Sequence, residues 1–185
     1  MPCWQGVVSY MRQNGEGTIV LDKQQVDSQL YRDAMSRFGG AVHVVTTDGP
    51  AGRRGVTIIA GCSVSDHPPT ILVCLSRVKP DNDVFAENGV FALNTLAAEH
   101  KPLADAFSGL TKLSQEERFA LGTWETVSTG APVLTGALTS LDCRIVETKD
   151  VATHRILFGE VTGIRIGDRL QPLIYQDRRY HILEA

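Results

Sequence analysis

A chain of 185 residues, 43% hydrophobic and 21% charged, is long enough to bury one sizeable core and is ordinary for a globular protein. Its formal net charge of −3 gives no electrostatic reason for nucleic-acid binding, which calls for a basic surface. No apolar run approaches the roughly 18 residues that cross a bilayer, so no membrane association is expected.

Residues 1–27 lack the basic-then-apolar layout of a secretory signal. They read as a loosely attached N-terminal arm on a cytoplasmic protein, with the folded domain expected over 28–185. The first firm element is a helix from Asp27 or Ser28 to Phe38. Leu30, Tyr31, Ala34, Met35 and Phe38 recur at helical spacing, and Gly39-Gly40 stops them. A strand is predicted over Ala41–Thr47, with Val42 and Val44 alternating with His43 and Val45, and then a turn over 48–52.

Further strands are predicted over Thr57–Ser63, Thr70–Leu75 and Val90–Asn94. A short helix is expected over Asp81–Glu87, capped by Asp81 and ended by Gly89. Helical stretches fit His100–Phe107 and Ser114–Leu121, the latter opening with Ser114-Gln115-Glu116-Glu117, a capping box. Leu141, Cys143 and Ile145 then alternate with Asp142 and Arg144, which is a strand with one buried face. Ile156–Ile166 and Leu173–Leu183 complete the set, the last interrupted by a turn at Gln176–Arg178. Many short strands with a few helices point to a barrel or sandwich rather than alternating βαβ units.

Cys3, Cys62, Cys74 and Cys143 form no Cys-x-x-Cys pair, which argues against zinc and against a disulfide framework. Three of them lie in strand-like segments, where a free thiol behaves as a small buried hydrophobe. His43, His67 and His100 show no ligand spacing, and no metal is assigned. Phosphate binding through a Gly-x-Gly-x-x-Gly or Walker loop has no support, because neither pattern is present.

Five places carry chemistry. Gly55, Thr57, Ala60, Gly61, Cys62, Ser63 and Ser65 offer small side chains, hydroxyls and approachable backbone amides, either for a flat polar-edged ligand or for capping turns in a barrel strand. Leu75-Ser76-Arg77-Val78-Lys79-Pro80-Asp81-Asn82 leads from a strand through a basic turn to a helix start, which is an anion site or an exposed turn. His154 opens a strand as a functional or a merely satisfied histidine, and Asn94 ends one near a ligand or bonded to its own backbone. The loop Gly49–Gly55 carries Arg53-Arg54, which clamps an anion or, more commonly, solvates a hairpin tip.

Taken in order, Gly55–Thr70 with its Pro68-Pro69 corner, Thr153-His154-Arg155-Ile156-Leu157-Phe158-Gly159-Glu160-Val161, Phe91-Ala92-Leu93-Asn94-Thr95-Leu96 (Phe-x-x-Asn-x-Leu) and the closing Pro172–Tyr175 and Arg179–Leu183 resemble the short-chain flavin reductase family. The resemblance covers about Tyr31 to Leu183. It implies an FMN-binding split β-barrel of Greek-key topology, mainly β with peripheral helices, forming a homodimer with flavin near the subunit interface. The implied reaction is hydride transfer from NADH or NADPH to FMN, then electron delivery to an acceptor.

By the same resemblance Thr57, Ile58, Ile59, Ala60, Cys62 and Ser63 contact the flavin. Ser76, Arg77 and Asn82 meet its phosphate, with Lys79 secondary, and Asn94 lies nearby. His154 lies over the ring and positions the nicotinamide. Relatives commonly carry Asp before this histidine; here Thr153 stands there, which removes an Asp-oriented tautomer and leaves its hydroxyl or a backbone carbonyl as candidates to orient the imidazole. Tyr175 and Tyr180 flank the ring or pair across the closing hairpin. The implied role is the flavin reductase component of a two-component monooxygenase. A corrin reductase of cobalamin biosynthesis, taking cobalt(II) to cobalt(I) with bound FMN, and a non-catalytic flavin- or heme-binding barrel are the alternatives.

Overall fold

The computed structural model describes residues 12–14, 18–20 and 26–183, and the chain divides by its internal contacts into two units, 1–38 and 39–185. Most of the expected N-terminal arm, Cys3 included, lies outside the described residues. In the first unit β1 (Arg12–Asn14) pairs antiparallel with β2 (Thr18–Val20). Helix α1 (Ser28–Ser36) follows. Asp27 caps it by accepting from the Gln29 N–H at 2.9 Å, which satisfies one of the orphan donors at a helix start.

The second unit is built on strands. They are β3 (Gly40–Ala41), β4 (His43–Thr47), β5 (Arg54–Ile58), β6 (Gly61–Asp66), β7 (Pro69–Ser76), β8 (Val90–Thr95), β9 (Trp124–Glu125), β10 (Val133–Leu134), β11 (Thr139–Val151), β12 (His154–Ile166), β13 (Leu173–Gln176) and β14 (Arg179–Ile182). Helices α2 (Asp83–Asn88), α3 (Lys101–Ser108) and α4 (Gln115–Phe119) decorate them. Seven strands form one antiparallel sheet in the order β5-β4-β8-β11-β12-β7-β6, and β14-β13-β3 form a second.

Strands β5 and β6 are consecutive in the chain yet occupy opposite edges of the seven-stranded sheet. Only Ile59 and Ala60 join them, and so short a link spans at most about 11 Å. The sheet therefore curls until its edges meet at that corner while staying unpaired beyond it. This is the split barrel. The corner corrects the expectation of one strand over Thr57–Ser63.

Curling separates two cores. Val45, Ile71, Val73, Leu75, Phe91, Leu93, Cys143 and Leu157 fill one, closed by Phe85 of α2. Val42, Val44, Leu96, Leu103, Phe107, Phe119, Leu134 and Leu173 form the other, beneath α3 and α4. Both faces of β4 are consequently covered, so Val42 and Val44–Thr47 are all buried and the expected alternation fails. Edge strand β5 is guarded differently. The Gln115 side chain accepts from the Gly55 N–H at 3.1 Å and donates to the Gly55 carbonyl at 3.4 Å, standing in for a missing strand partner.

Other expectations hold or shift for local reasons. Gly89, at φ +70°, ends α2, and Ser114 and Glu117 form the capping box of α4. Asp81 does not cap a helix, because Pro80–Asn82 forms a 3-10 turn and α2 begins at Asp83. Asp142 faces inward rather than out. A bulge at Asp142/Cys143 turns it to accept from the Ser128 and Thr129 N–H groups at 2.7 and 2.8 Å and from the Thr129 hydroxyl. Cys62 is exposed, Cys74 half-buried and Cys143 buried, so the buried-hydrophobe reading fails for Cys62. Among the described residues no helix is long and apolar enough to cross a membrane.

Candidate flavin site at the barrel seam

The corner residues Ile59 and Ala60 are exposed, and the Ala60 carbonyl accepts the Cys74 N–H at 2.9 Å. That bond ties the corner to β7 just before its end at Ser76. Beyond Ser76 the chain swings across the open seam to β5. Asn82 donates to the Ser76 carbonyl at 2.8 Å, and Arg54 of β5 donates to Asn82 Oδ1 from Nε and Nη2 at 3.2 and 3.1 Å. The expected phosphate turn thus lies between the two parted edges of the barrel.

Ser76 Oγ accepts from the Val78 N–H at 3.3 Å, leaving its proton to donate outward. Arg77 is exposed and its guanidinium pairs with Asp150 at 3.3 Å. Lys79 is exposed as well, and its ammonium lies 3.6 Å from where a β-carbon on Gly109 would sit, so the turn borders the end of α3. Asn82, 6% exposed, has its carbonyl and amide ends committed within the protein. It shapes the turn rather than presenting itself.

His154 stands directly across from Ser76 in the β12–β7 register, and the Arg77 N–H donates to the Thr153 carbonyl at 2.9 Å. The Thr153 hydroxyl meets His154 Nδ1 at 3.0 Å. That contact supplies the orienting partner which an Asp would otherwise provide. Below it Arg155 donates to Asp150 at 2.7 Å and to Asp83 at 2.9 Å. The bond from Arg155, with the charges of Arg155 and Arg77, holds the Asp150 carboxyl below its ordinary range.

Past the corner a groove of about 440 Å³ is lined by Val42, Thr57, Ile58, Ile59, Leu110, Tyr175 and Tyr180 among others, within the range of small-molecule sites. The Thr57 hydroxyl is spent on the Ala104 carbonyl at 2.7 Å. Tyr175 and Tyr180 are cross-strand partners and pack edge to face at 5.3 Å, so they hold the hairpin together and also wall the groove. Burial and the neighbouring Asp105 push the Tyr180 hydroxyl up to about 12, which keeps it a neutral donor.

Ser76, Arg77, Asn82 and His154 stand together at the end of β7, while Thr57, Ile58 and Ile59 line the groove past the corner. Cys62 and Ser63 lie on exposed edge strand β6, where successive side chains leave opposite faces, so the two do not share one ligand face. Cys62 neighbours Cys74, whose thiol is raised by burial and by that neighbour. Asn94 stands elsewhere. Fully buried, it donates to the Val44 carbonyl at 3.0 Å and accepts from the Leu134 N–H and the Ser140 hydroxyl at 2.8 Å each. Its amide is consumed inside the barrel wall.

Sequence reasoning missed Ser108 and Leu110 in the groove wall; a glycine ending a helix between them was the available signal. It also misjudged the paired arginines. Arg53 pairs with Asp48 at 2.8 Å and lies over the Phe119 ring, whereas the Arg54 side chain is only 11% exposed. A second cleft of about 460 Å³, lined by His100, Gly122 and Leu134 among others, contains none of the expected site residues.

A seven-stranded antiparallel sheet that curls into a barrel left open beyond a short corner, with a basic turn and a histidine beside the opening, is a split-barrel fold. The flavin reductase like domain matches residues 35–184, and the chain belongs to that family. It is 52% identical over 156 residues to the FMN reductase (NADH) RutF of Ancylobacter novellus, covering 84% of this chain and 85% of that protein. A candidate flavin reductase of Haemophilus somnus has a similar structure, with a TM-score of 0.81 and 42% identity over 85% of this chain and 100% of that one. BorF, the flavin reductase component of a bacterial two-component tryptophan halogenase, gives a TM-score of 0.79 and 28% identity over 86% of this chain and 99% of that one.

Proposed function

We propose that this chain is an FMN reductase that takes hydride from NADH and releases reduced flavin to a separate acceptor enzyme. The observation that carries the reading is the convergence of corner, basic turn and His154 on one seam of the barrel. The relative named FMN reductase (NADH) RutF supports the cofactor pair, and BorF, the reductase component of a two-component halogenase, supports delivery of reduced flavin to a separate enzyme.

The donor set fits FMN: a hydroxyl and two cations for a phosphate, then a largely apolar groove for a flat ring. Bound FMN supplies the redox chemistry, accepting a hydride and handing on two electrons. The chain supplies position. Ser76, Arg77 and Lys79 hold the phosphate, the exposed corner backbone at Ile59-Ala60 borders the ring, and the tyrosine pair limits water. His154, steadied by Thr153, sets the nicotinamide over the ring, where alignment rather than acid–base strength governs hydride transfer.

A homodimer belongs to this reading. Exposed Val64, Ile164 and Ile166 on β6 and β12 are apolar surface that a second copy would cover. The cytoplasm, with its NADH pool, is the proposed compartment. The test is anaerobic mixing of NADH, FMN and catalytic amounts of protein. Bleaching with flavin lost on desalting supports a diffusible-flavin reductase. Bleaching with retained flavin favours the corrin reductase alternative. Absence of bleaching would leave a flavin- or heme-binding barrel without turnover.

A further inference from the structure

The open seam of the barrel is bridged at one place by a charged side chain. Arg54 begins β5 and its guanidinium is largely buried, yet its acidic partner is only Asp81, bound from Nη1 at 3.1 Å and itself exposed. Arg118 lies near enough to oppose its charge, and burial also lowers the Arg54 pKa. A cation kept in this setting is costly unless its hydrogen bonds do specific work. Those bonds converge on the turn: two to Asn82 Oδ1, and through Asn82 Nδ2 to the Ser76 carbonyl at 2.8 Å.

We propose that Arg54 is a positioning residue for the flavin phosphate, acting through Asn82 to hold the Ser76–Asn82 turn across the barrel seam; the inference rests on the FMN reading above. Arg54 does not touch the ligand. It fixes the carbonyl of Ser76 through Asn82, and with it the start of the turn that carries the Ser76 hydroxyl, Arg77 and Lys79. The planar fork matters more than the charge. Lysine cannot donate twice to one amide oxygen and once to Asp81 from a rigid plane.

The experiment compares FMN with riboflavin, which has the same ring and ribityl chain and no phosphate. Dissociation constants are measured by flavin fluorescence for the wild type, Arg54→Ala, Arg54→Lys and Asn82→Ala, with circular dichroism of each variant. The expected result is that FMN affinity falls about tenfold or more in all three variants while riboflavin affinity stays within about twofold. In turnover the loss sits in KM for FMN rather than in kcat. If Arg54→Ala fails to fold, Arg54→Lys, which keeps the charge, carries the test alone. Equal losses for FMN and riboflavin, or an unchanged FMN affinity in Arg54→Lys, would overturn the proposal. A wild type that binds FMN no tighter than riboflavin would overturn the phosphate-turn reading itself, and Arg54's role with it.

Discussion

Ser76 and His154 are cross-strand partners on β7 and β12, so the residue that opens the phosphate turn and the histidine proposed for the nicotinamide stand on one rung of the ladder. The adjoining Thr153 carbonyl accepts the Arg77 N–H, which locks the tip of the β11–β12 hairpin to the turn. On the proposed reading, flavin binding and nicotinamide placement share that one joint.

Removing the imidazole should separate those two functions. His154→Ala is expected to lower kcat/KM for NADH by about 10- to 100-fold through misplacement of the reacting pair, with FMN affinity unchanged. Thr153→Val, which removes the contact to Nδ1, should lower it by less. Stopped-flow reduction of FMN measures both, and a wild-type rate in His154→Ala would remove the histidine from the account.

Gly55 lies within β5, where α3 packs against it. A β-carbon there would fall 2.3 Å from Cε1 of Phe107, an aromatic ring wedged edge-on against Phe119 and Trp124. Gly55→Ala should cost about 1–3 kcal/mol by overpacking, read as a lower midpoint in chemical denaturation. Adding Phe107→Leu should recover part of the loss. An unchanged midpoint in the single variant would mean that the α3 core yields more easily than its packing implies.

Asn94 offers a direct contrast between structural and ligand roles. Truncation to alanine strands the Leu134 N–H and removes the acceptor of the Ser140 hydroxyl inside the wall, worth about 3 kcal/mol. Stability of Asn94→Ala should therefore drop while the folded fraction binds FMN normally. Intact stability with selective loss of FMN binding would restore it to the cofactor site.

Acid should act through His43. Its ring is partly buried beside Thr95, with Nδ1 3.1 Å from the hydroxyl, and that burial lowers its pKa from 6.5 to about 4. The unfolded chain therefore takes up this proton first, and stability falls as pH drops from about 6.5 to about 4, levelling below that. His43→Asn does not titrate and should flatten this part of the profile, by at most about 3 kcal/mol. Urea midpoints measured across that window check it, and parallel profiles for both proteins would contradict it.

Much of the fold was legible because its signals are local. The Gly89 stop, the Ser114–Glu117 capping box and the turn at Gln176–Arg178, where Asp177 and Arg178 both take positive φ, follow from short-range chemistry. What was illegible depends on curvature. Thr57–Ser63 reads as one apolar run, and nothing in it marks Ile59-Ala60 as the point where two sheet edges part. Burial of β4 on both faces and of Asp142 at a bulge likewise arises from neighbours distant in sequence. At the site the family pattern drew attention to Ser76 and His154. It could not distinguish Asn82 and Asn94, whose amides are consumed within the protein, from a residue free to meet a ligand. Arg54 was hidden for a similar reason, since adjacent arginines in a loop usually point to solvent.

The most direct measurement is a crystal structure of the protein with FMN. The account requires the phosphate within hydrogen-bonding distance of Ser76 and beside Arg77 and Lys79, with the ring against the Ile59-Ala60 corner. FMN lodged in the cleft beside His100 and Leu134, with the barrel seam left to solvent, would contradict it.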